Sequence, residues 1–173
     1  MGIGAKTILS MVAGRFDLKR DTTEDRLKLQ KAIYLLQAHG LQLGYGFSWY
    51  RYGPYSQDLV SDAYSVLGSE RANYEEKKRP LKFSPNSEQK FEDFEDICSD
   101  VLDDVQQLEL VASVDFARRT WYPDADDNEL VDKFRQHKKR LFNSTDEISD
   151  AEIRKAYHIC DELREKQSQT SVT

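Results

Sequence analysis

The sequence predicts a mainly α-helical fold with a minor β component, a compact multi-helix domain in which a small β-hairpin or short antiparallel strands lie between helices. Three observations predict it. Most segments show apolar residues at three- to four-residue spacing between cap residues. Strand-like composition is confined to short stretches before residue 86. A length of 173 residues with 39% hydrophobic and 32% charged residues suits one core. We therefore predict one domain over residues 1–167 and a polar, disordered tail over residues 168–173.

Two helices are predicted before residue 41. The first runs from Ala5 to Ala13 and ends in a turn at Gly14. The second begins after Thr22 or Thr23, either of which can serve as N-cap, and stops at Gly40. Its apolar residues form two nearly opposite stripes, so we expect protein on both sides of it. The stripes are Leu29, Ala32, Ile33 and Leu36, and Leu27, Tyr34 and Ala38; Lys28, Gln30, Lys31 and Gln37 occupy the polar strips between them.

An aromatic turn follows in the stretch WYRYGPYSQDL, residues 49–59. Residues 47–52 have strand composition, Gly53-Pro54 predicts a turn, and Ser56 can cap a helix that runs to Gly68. Alternation along a strand would place Trp49 and Arg51 on one face and Tyr50 and Tyr52 on the other. The rings either brace a structural corner or form a partner site, because Tyr, Trp and Arg are typical of interface hot spots.

The rest of the chain predicts a short strand or hairpin arm and then four helices. Alternating Leu81 and Phe83 indicate the arm, which ends at Pro85. Residues 91–110 contain eight acidic residues and no Lys or Arg, yet the apolar residues from Phe91 to Val105 share one arc, which predicts an amphipathic helix. A buried helix is expected over residues 106–122, and two more over Glu129–Leu141 and Asp150–Lys166. The last of these opens with a capping box at residues 149–152.

No pattern typical of an enzyme, a cofactor site or a metal site is found. The stretch DADDNE, residues 124–129, matches the first ligands of a calcium loop, but Glu129 stands where that loop needs Gly and Arg135 where it needs Glu. An enzymatic alternative would require a reactive, exposed Cys160. We instead expect structural roles for the residues that fall at helix ends or on apolar faces: His39, His137, Cys98 and Cys160.

The charge distribution bears on the kind of partner. Residues 1–90 contain 14 basic and 10 acidic residues, a net charge of +4, whereas residues 91–173 contain 11 and 21, a net charge of −10. This asymmetry argues against nucleic acid and favours a basic protein surface. No apolar run is long enough for a membrane span, and the few cysteines suit the cytoplasm. The basic clusters 77–79 and 138–140 keep a winged-helix DNA-binding regulator as the alternative.

The stretch RLKLQKAIYLLQAHG, followed closely by FSWYRYGPYSQDL, resembles the K-L-Q-K helix and the Y-G-P-Y-S turn of the YwgA-like proteins, which are similar to the Panacea (SocA-like) domain. The resemblance continues more faintly through LELVASVDF and covers about two thirds of the chain. Tyr55 after Gly53-Pro54 places the chain nearer the YwgA branch. The residues that carry the resemblance are Lys28, Leu29, Gln30, Lys31, Tyr34, Tyr52, Gly53 and Pro54.

The resemblance implies a small, helical, non-enzymatic bacterial domain that also occurs in mobile elements. Panacea-type members act as antitoxins that bind and neutralise toxins, and a SocA-like member is a proteolytic adaptor. We therefore expect a cytoplasmic protein-binding module whose partner is a toxin or defence effector encoded nearby; a second copy of the chain stays open as a partner. The candidate partner-binding residues are Lys28, Gln30, Lys31, Tyr34, Trp49, Tyr50, Arg51, Tyr52, Gly53, Pro54 and Tyr55.

Overall fold

A computed structural model describes residues 3–68, 82–142 and 148–170. Within these ranges the chain forms seven α-helices and one two-stranded antiparallel sheet, which confirms the predicted mainly α fold. None of the described helices is both long and apolar enough to cross a membrane. The elements, in chain order, are α1 (Ile3–Arg15), α2 (Thr23–Ala38), β1 (Ser48–Tyr50), β2 (Gly53–Tyr55), α3 (Gln57–Leu67), α4 (Pro85–Leu102), α5 (Val105–Thr120), α6 (Asp127–Phe142) and α7 (Asp150–Thr170).

Helix α1 continues through Gly14, so the turn predicted at that residue is wrong. The chain leaves the helix after Arg15 and reverses at Asp17, which has a positive φ of 47°. The N–H of Leu18 then donates to the carbonyl of Ala13 at 2.8 Å, and this bond satisfies an orphan carbonyl at the helix end. A helical Gly14 is tolerated because it is exposed and lies within a helix that packs against α3.

Helix α2 has the predicted boundaries and the predicted cover on both sides. Thr22 forms a capping box with Asp25, and every residue from Leu29 to Leu36 is buried. The continuous burial follows because α2 contacts α5, the hairpin and α4. The expectation that Gln30 and Lys31 lie in polar strips is therefore incomplete, since both are buried along with the apolar residues beside them.

The two strands form a hairpin whose turn lies two residues earlier than predicted. Tyr50 pairs with Gly53 and Trp49 with Pro54, so Arg51 and Tyr52 form the turn. Gly53-Pro54 belongs to β2 instead, which corrects the predicted Gly-Pro turn and the predicted alternation of Arg51 and Tyr52. A proline is acceptable there because β2 is an edge strand, where the missing N–H leaves no ladder bond unmade.

Helix α3 follows the N-cap Ser56, whose hydroxyl accepts a bond from the N–H of Leu59 at 3.3 Å, and it ends before Gly68 as predicted. A buried Asp62 on this helix accepts a hydrogen bond from the hydroxyl of Tyr45 at 3.2 Å. Lys6 of α1 lies 3.6 Å from the same carboxylate. These contacts connect α1, α3 and the loop that precedes the hairpin.

The predicted strand arm before Pro85 is not found in the described residues. Residues 82–84 are irregular, and Pro85 instead begins α4 after the N-cap Ser84, because proline is well suited to a first helical position. The earlier residues of the arm, including Leu81, lie outside the described residues.

The predicted amphipathic helix ends three residues before the end of its apolar arc, which runs from Phe91 to Val105. Helix α4 ends at Leu102, and Asp104 begins α5 by accepting bonds from the N–H groups of Gln106 and Gln107, both at 3.1 Å. Asp103 and Asp104 interrupt the helix because short acidic side chains cap new helices better than they continue old ones. The predicted buried helix that follows is confirmed, since residues 110–117 of α5 are all buried.

The last two helices extend beyond their predicted ends. The capping box at α7 is confirmed: Ser149 donates from its N–H to Glu152 at 2.8 Å and accepts from the Glu152 N–H at 3.2 Å. Helix α7 continues to Thr170, so its last turn includes residues 168–170, where we predicted the start of a tail. Cys98 and Cys160 are buried free thiols, as expected.

Candidate partner-binding site

The hairpin is attached to α2 through the side chain of Gln30. The Gln30 amide donates to the carbonyl of Ser56 at 2.9 Å and accepts from the N–H of the same residue at 2.9 Å. This two-bond clamp is buried, so it satisfies both backbone groups at the point where β2 meets α3. A single glutamine of the K-L-Q-K motif thus sets the position of the hairpin relative to the central helix.

Lys31 provides the second attachment. Its Nζ donates to the carbonyl of Pro54 at 2.8 Å, and the side chain is only 2% exposed. Burial lowers the pKa of the Lys31 ammonium from 10.5 to about 8, against an opposing influence of Glu109. A buried ammonium group that has no hydrogen-bond acceptor is energetically costly. Because the hairpin supplies the acceptor of Lys31, the Pro54 carbonyl, this bond opposes movement of the hairpin away from α2.

Gly53 allows the hairpin to approach α5 closely. Its φ is +84°, a left-handed conformation that favours glycine. A Cβ at this position would overlap the Oγ of Ser113, which is buried on α5. The Gly of Y-G-P-Y-S is therefore required for two reasons, the left-handed backbone conformation and the close approach to α5.

A buried polar cluster joins α2 to α5 beside the hairpin. Asp115 is fully buried and accepts bonds from the Tyr34 hydroxyl and from Nε of Arg119, both at 2.8 Å. The Nε2 of His39 lies 3.2 Å from the other carboxylate oxygen. Burial alone would raise the pKa of Asp115, but the contacts with His39 and Arg119 outweigh it and hold that pKa below its ordinary value.

An aromatic cluster supports one side of the hairpin. Trp49 is half-buried, and its ring centroid lies 4.8 Å from that of Trp121 and 5.9 Å from that of Phe116. His137 of α6 stacks on Trp121 at 4.0 Å. On the other side, Tyr50 and Tyr55 have ring centroids 5.4 Å apart. The hairpin is therefore flanked by aromatic contacts along its length.

The structure divides the sequence-predicted site into two layers. Tyr50, Arg51 and Tyr52 are exposed, and we call these three residues the hairpin surface. Trp49 and Tyr55 are half-buried at its margin. The remaining residues beside or beneath the hairpin are buried and support it without facing solvent: Gln30, Lys31, Tyr34, Gly53 and Pro54.

Lys28 is the one predicted residue that the structure places elsewhere. Its Nζ contacts the carboxylate of Asp103 at 2.9 Å, at the junction of α4 and α5. The residues that complete the support lie on α5, directly after it and on α6. The sequence predicts a structural role for only one of them, His137, although a polar or aromatic residue inside an apolar stretch was a signal for the others. The supporting residues are Ser113, Asp115, Phe116, Arg119, Trp121 and His137.

The catalytic and metal alternatives have no supporting geometry in the part of the chain that the structure describes. There, no group of three His, Cys, Asp or Glu residues could hold a metal ion. Asp126, from the calcium-like stretch, caps α6 by accepting from the N–H groups of Asn128 and Glu129. Burial raises the pKa of the Cys160 thiol well above its ordinary value, which makes that thiol unreactive.

The described residues do not test the winged-helix alternative, because they do not include its predicted wing. Its proposed wing, residues 77–79, lies outside them, and the second basic cluster, residues 138–140, falls near the end of α6. Two further basic residues, Arg118 and Arg119, lie between these clusters in the sequence; Arg118 contacts Asp161 and Arg119 contacts Asp115. These two guanidiniums are therefore used within the fold.

No family model, curated protein or solved structure matches this chain.

Replacing Lys31 by methionine should change how stability depends on pH. Between pH 8 and 10.5 the unfolded chain binds more protons at this residue than the folded chain, so wild-type stability gains with rising pH relative to the variant. We expect the difference in unfolding free energy to shift in favour of wild type by about 2 kcal/mol between pH 7 and pH 9.5. Urea denaturation at both pH values measures it. The cysteines and tyrosines are common to both proteins, so a pH-independent difference would contradict the assignment.

Proposed function

We propose that this protein is a non-enzymatic interaction module that binds another protein through the hairpin surface. The observation that carries the proposal is the exposure of large side chains at the tip of a firmly held hairpin. Tyr50 is 64% exposed and Tyr52 47% exposed, whereas the base of the hairpin is buried. Arg51 lies between them in the turn and is exposed as well.

Exposed tyrosines on a rigid element suit binding better than they suit folding. A tyrosine left in water contributes little to stability, but at an interface it buries a large amphipathic ring and is a frequent hot spot. The Gln30 clamp and the Lys31 bond restrict the hairpin before any partner arrives. A restricted surface loses little conformational freedom on association, which favours affinity.

The motif resemblance suggests which kind of interaction module this is. The K-L-Q-K and Y-G-P-Y-S motifs, which resemble YwgA-like and Panacea (SocA-like) proteins, contribute the Gln30 clamp, the Lys31 bond and the Gly53 contact with α5. We infer an antitoxin or defence-associated accessory protein of the bacterial cytoplasm that occludes or adapts a partner encoded nearby. In this proposal the task of the motifs would be to hold the recognition hairpin.

The acidic surface of α4 would guide association with a basic partner. Glu92, Asp96 and Asp100 are exposed at four-residue spacing along this helix, and Asp103 follows at its end. Such a row of like charges does not stabilise a helix, but it attracts an oppositely charged surface during encounter. In this proposal the row would raise the association rate, while the hairpin surface would supply the contacts that slow dissociation.

Capture from the native host tests the proposal. Tagged wild-type chain should retain a protein encoded nearby, and the double variant Tyr50→Ala with Tyr52→Ala should bind that protein at least about 30-fold more weakly, because hot-spot truncation costs about 2 kcal/mol or more. Tyr64→Ala is the matched control, since Tyr64 is a tyrosine on α3 that is 51% exposed. The affinity of the Tyr64→Ala variant for the captured protein should stay within twofold of that of wild type.

Two results would count against the proposed function. Wild-type chain that elutes alone, with purified products of the neighbouring genes failing to bind it, would remove the interaction. Equal loss of binding in Tyr64→Ala and in the double variant would show that the hairpin surface is not the contact region.

A further inference from the structure

We propose that the partner receives the hairpin surface in a cleft that contains a carboxylate, and that this carboxylate pairs with Arg51. The inference rests on the proposed function and adds the chemistry of the partner to it. Arg51 would then determine which protein is bound, while the flanking tyrosines supply most of the buried area.

The position of Arg51 makes it the leading residue of the hairpin. It is the first residue of the two-residue turn between β1 and β2. The Gln30 clamp holds Ser56, at the opposite end of β2 from this turn. A turn whose three neighbouring side chains are all exposed fits a concave surface better than a flat one. Any partner that covers Tyr50 and Tyr52 must therefore also enclose the guanidinium of Arg51.

Arg51 is exposed, and no hydrogen bond, ion pair or ring contact joins it to another of the described residues. Other arginines of the chain do: Arg15 donates to Glu95 at 2.9 Å, and Arg119 donates to Asp115 at 2.8 Å. In the free protein, water solvates the Arg51 guanidinium. Enclosure in a cleft removes that water, and a buried guanidinium without a partner strongly opposes binding. The receiving cleft must therefore supply an anion.

A protein carboxylate fits this requirement better than a nucleic-acid phosphate. The guanidinium fork matches the two oxygens of a carboxylate, and the apolar faces of Tyr50 and Tyr52 suit the walls of a protein cleft. Nucleic-acid binding depends on many phosphate contacts, whereas the hairpin surface carries one cation and the chain has a net charge of −6. The single cation between two rings thus points to one acidic residue at the floor of a protein cleft.

Binding measurements with the protein captured by wild-type chain test the inference. Arg51→Gln should weaken the Kd at least about 30-fold, Arg51→Glu should weaken it further, and Arg51→Lys should fall between Gln and wild type because lysine keeps the charge but loses the fork. Arg164→Gln is the matched control, since Arg164 is an exposed arginine of α7. Thermal melting should be unchanged in all four variants, because neither arginine side chain packs into the core.

Exchange of charges identifies the carboxylate. Substituting arginine for single acidic residues of the captured protein should restore binding of Arg51→Glu at one position and at that position weaken wild type. An affinity for Arg51→Gln within threefold of wild type would overturn the inference while leaving the proposed function intact. Failure of wild-type chain to bind any protein would remove both.

Two further experiments distinguish a protein carboxylate from a nucleic-acid phosphate as the group that pairs with Arg51. Nuclease treatment of the captured complex should leave it intact, and duplex DNA from the chain's own promoter should not shift in a gel at low salt. A DNA shift that is present for wild type and lost in Arg51→Gln would overturn the protein-carboxylate assignment in favour of phosphate.

Discussion

Replacing Asp115 by alanine is expected to lower the unfolding free energy by about 3–5 kcal/mol, the range typical of removing one partner from a buried charged cluster. The Asp115 carboxylate is fully buried and lies within 3.2 Å of groups on Tyr34, His39 and Arg119. Without it, the buried Tyr34 hydroxyl loses its acceptor and the Arg119 guanidinium loses its ion-pair partner. Chemical denaturation at pH 7 measures the loss.

Asp103→Ala is the control for the Asp115 prediction. Asp103 also forms an ion pair, with Lys28 at 2.9 Å, but its side chain is 94% exposed. Removing an exposed pair should change the unfolding free energy by no more than about 1 kcal/mol. Equal effects of the two substitutions would show that the buried cluster does not contribute to stability.

Asp115→Asn adds a test by pH. The pKa of Asp115 is lowered in the folded protein, so the stability it contributes is present above the ordinary aspartate pKa of 3.8 and is lost as the pH falls toward its lower folded value. The advantage of wild type over Asp115→Asn should therefore persist from pH 7 down to pH 5 and shrink only below pH 3.8. A difference that shrinks already near pH 6 would contradict the lowered pKa.

Gly53→Ala is expected to destabilise the protein by about 2–4 kcal/mol, from a left-handed backbone position combined with overpacking against α5. The new Cβ would meet the Oγ of Ser113 at the base of the hairpin. Because β2 would have to move away from Lys31 and α5, partner binding should fall together with stability. Thermal and urea unfolding measure the first effect, and the capture assay measures the second.

Gly46→Ala and a double variant separate the two causes. A Cβ at Gly46 meets no atom within 4 Å, so that substitution should change stability by less than about 0.5 kcal/mol. Adding Ser113→Ala to Gly53→Ala should recover the part of the loss due to overlap, while the part due to the φ of +84° should remain. If Gly53→Ala were as stable as Gly46→Ala, the close approach to α5 would be refuted.

Much of the helical framework could be predicted because its signals are local. Thr22, Ser56 and the pair Ser149–Glu152 cap their helices as their residue types indicate. The two apolar stripes of α2 correctly indicated a helix with protein on both sides. The errors fell where two local signals competed, as at Gly14, which stays helical, and at Asp104, where a cap interrupts a continuous apolar arc.

The candidate site was predictable as a group of residues but not as an arrangement. The motifs predicted that Gln30, Lys31 and Gly53 belong to the site, but the residues next to them in the sequence did not indicate that they are buried. Their partners are remote in the chain: Gln30 bonds Ser56, Lys31 bonds Pro54 and Gly53 meets Ser113. No local pattern encodes such pairs. The turn was predicted at Gly53-Pro54, two residues after its observed position.

The sequence by itself determined where most helices begin and end and that α2 has protein on both sides, because caps and apolar periodicity act between residues a few positions apart. Only the tertiary structure decided which polar side chains of α2 are buried and which aromatic side chains stay exposed. That choice depends on α5 closing over the hairpin base, which leaves Tyr50, Arg51 and Tyr52 as the part of the hairpin that no other element covers.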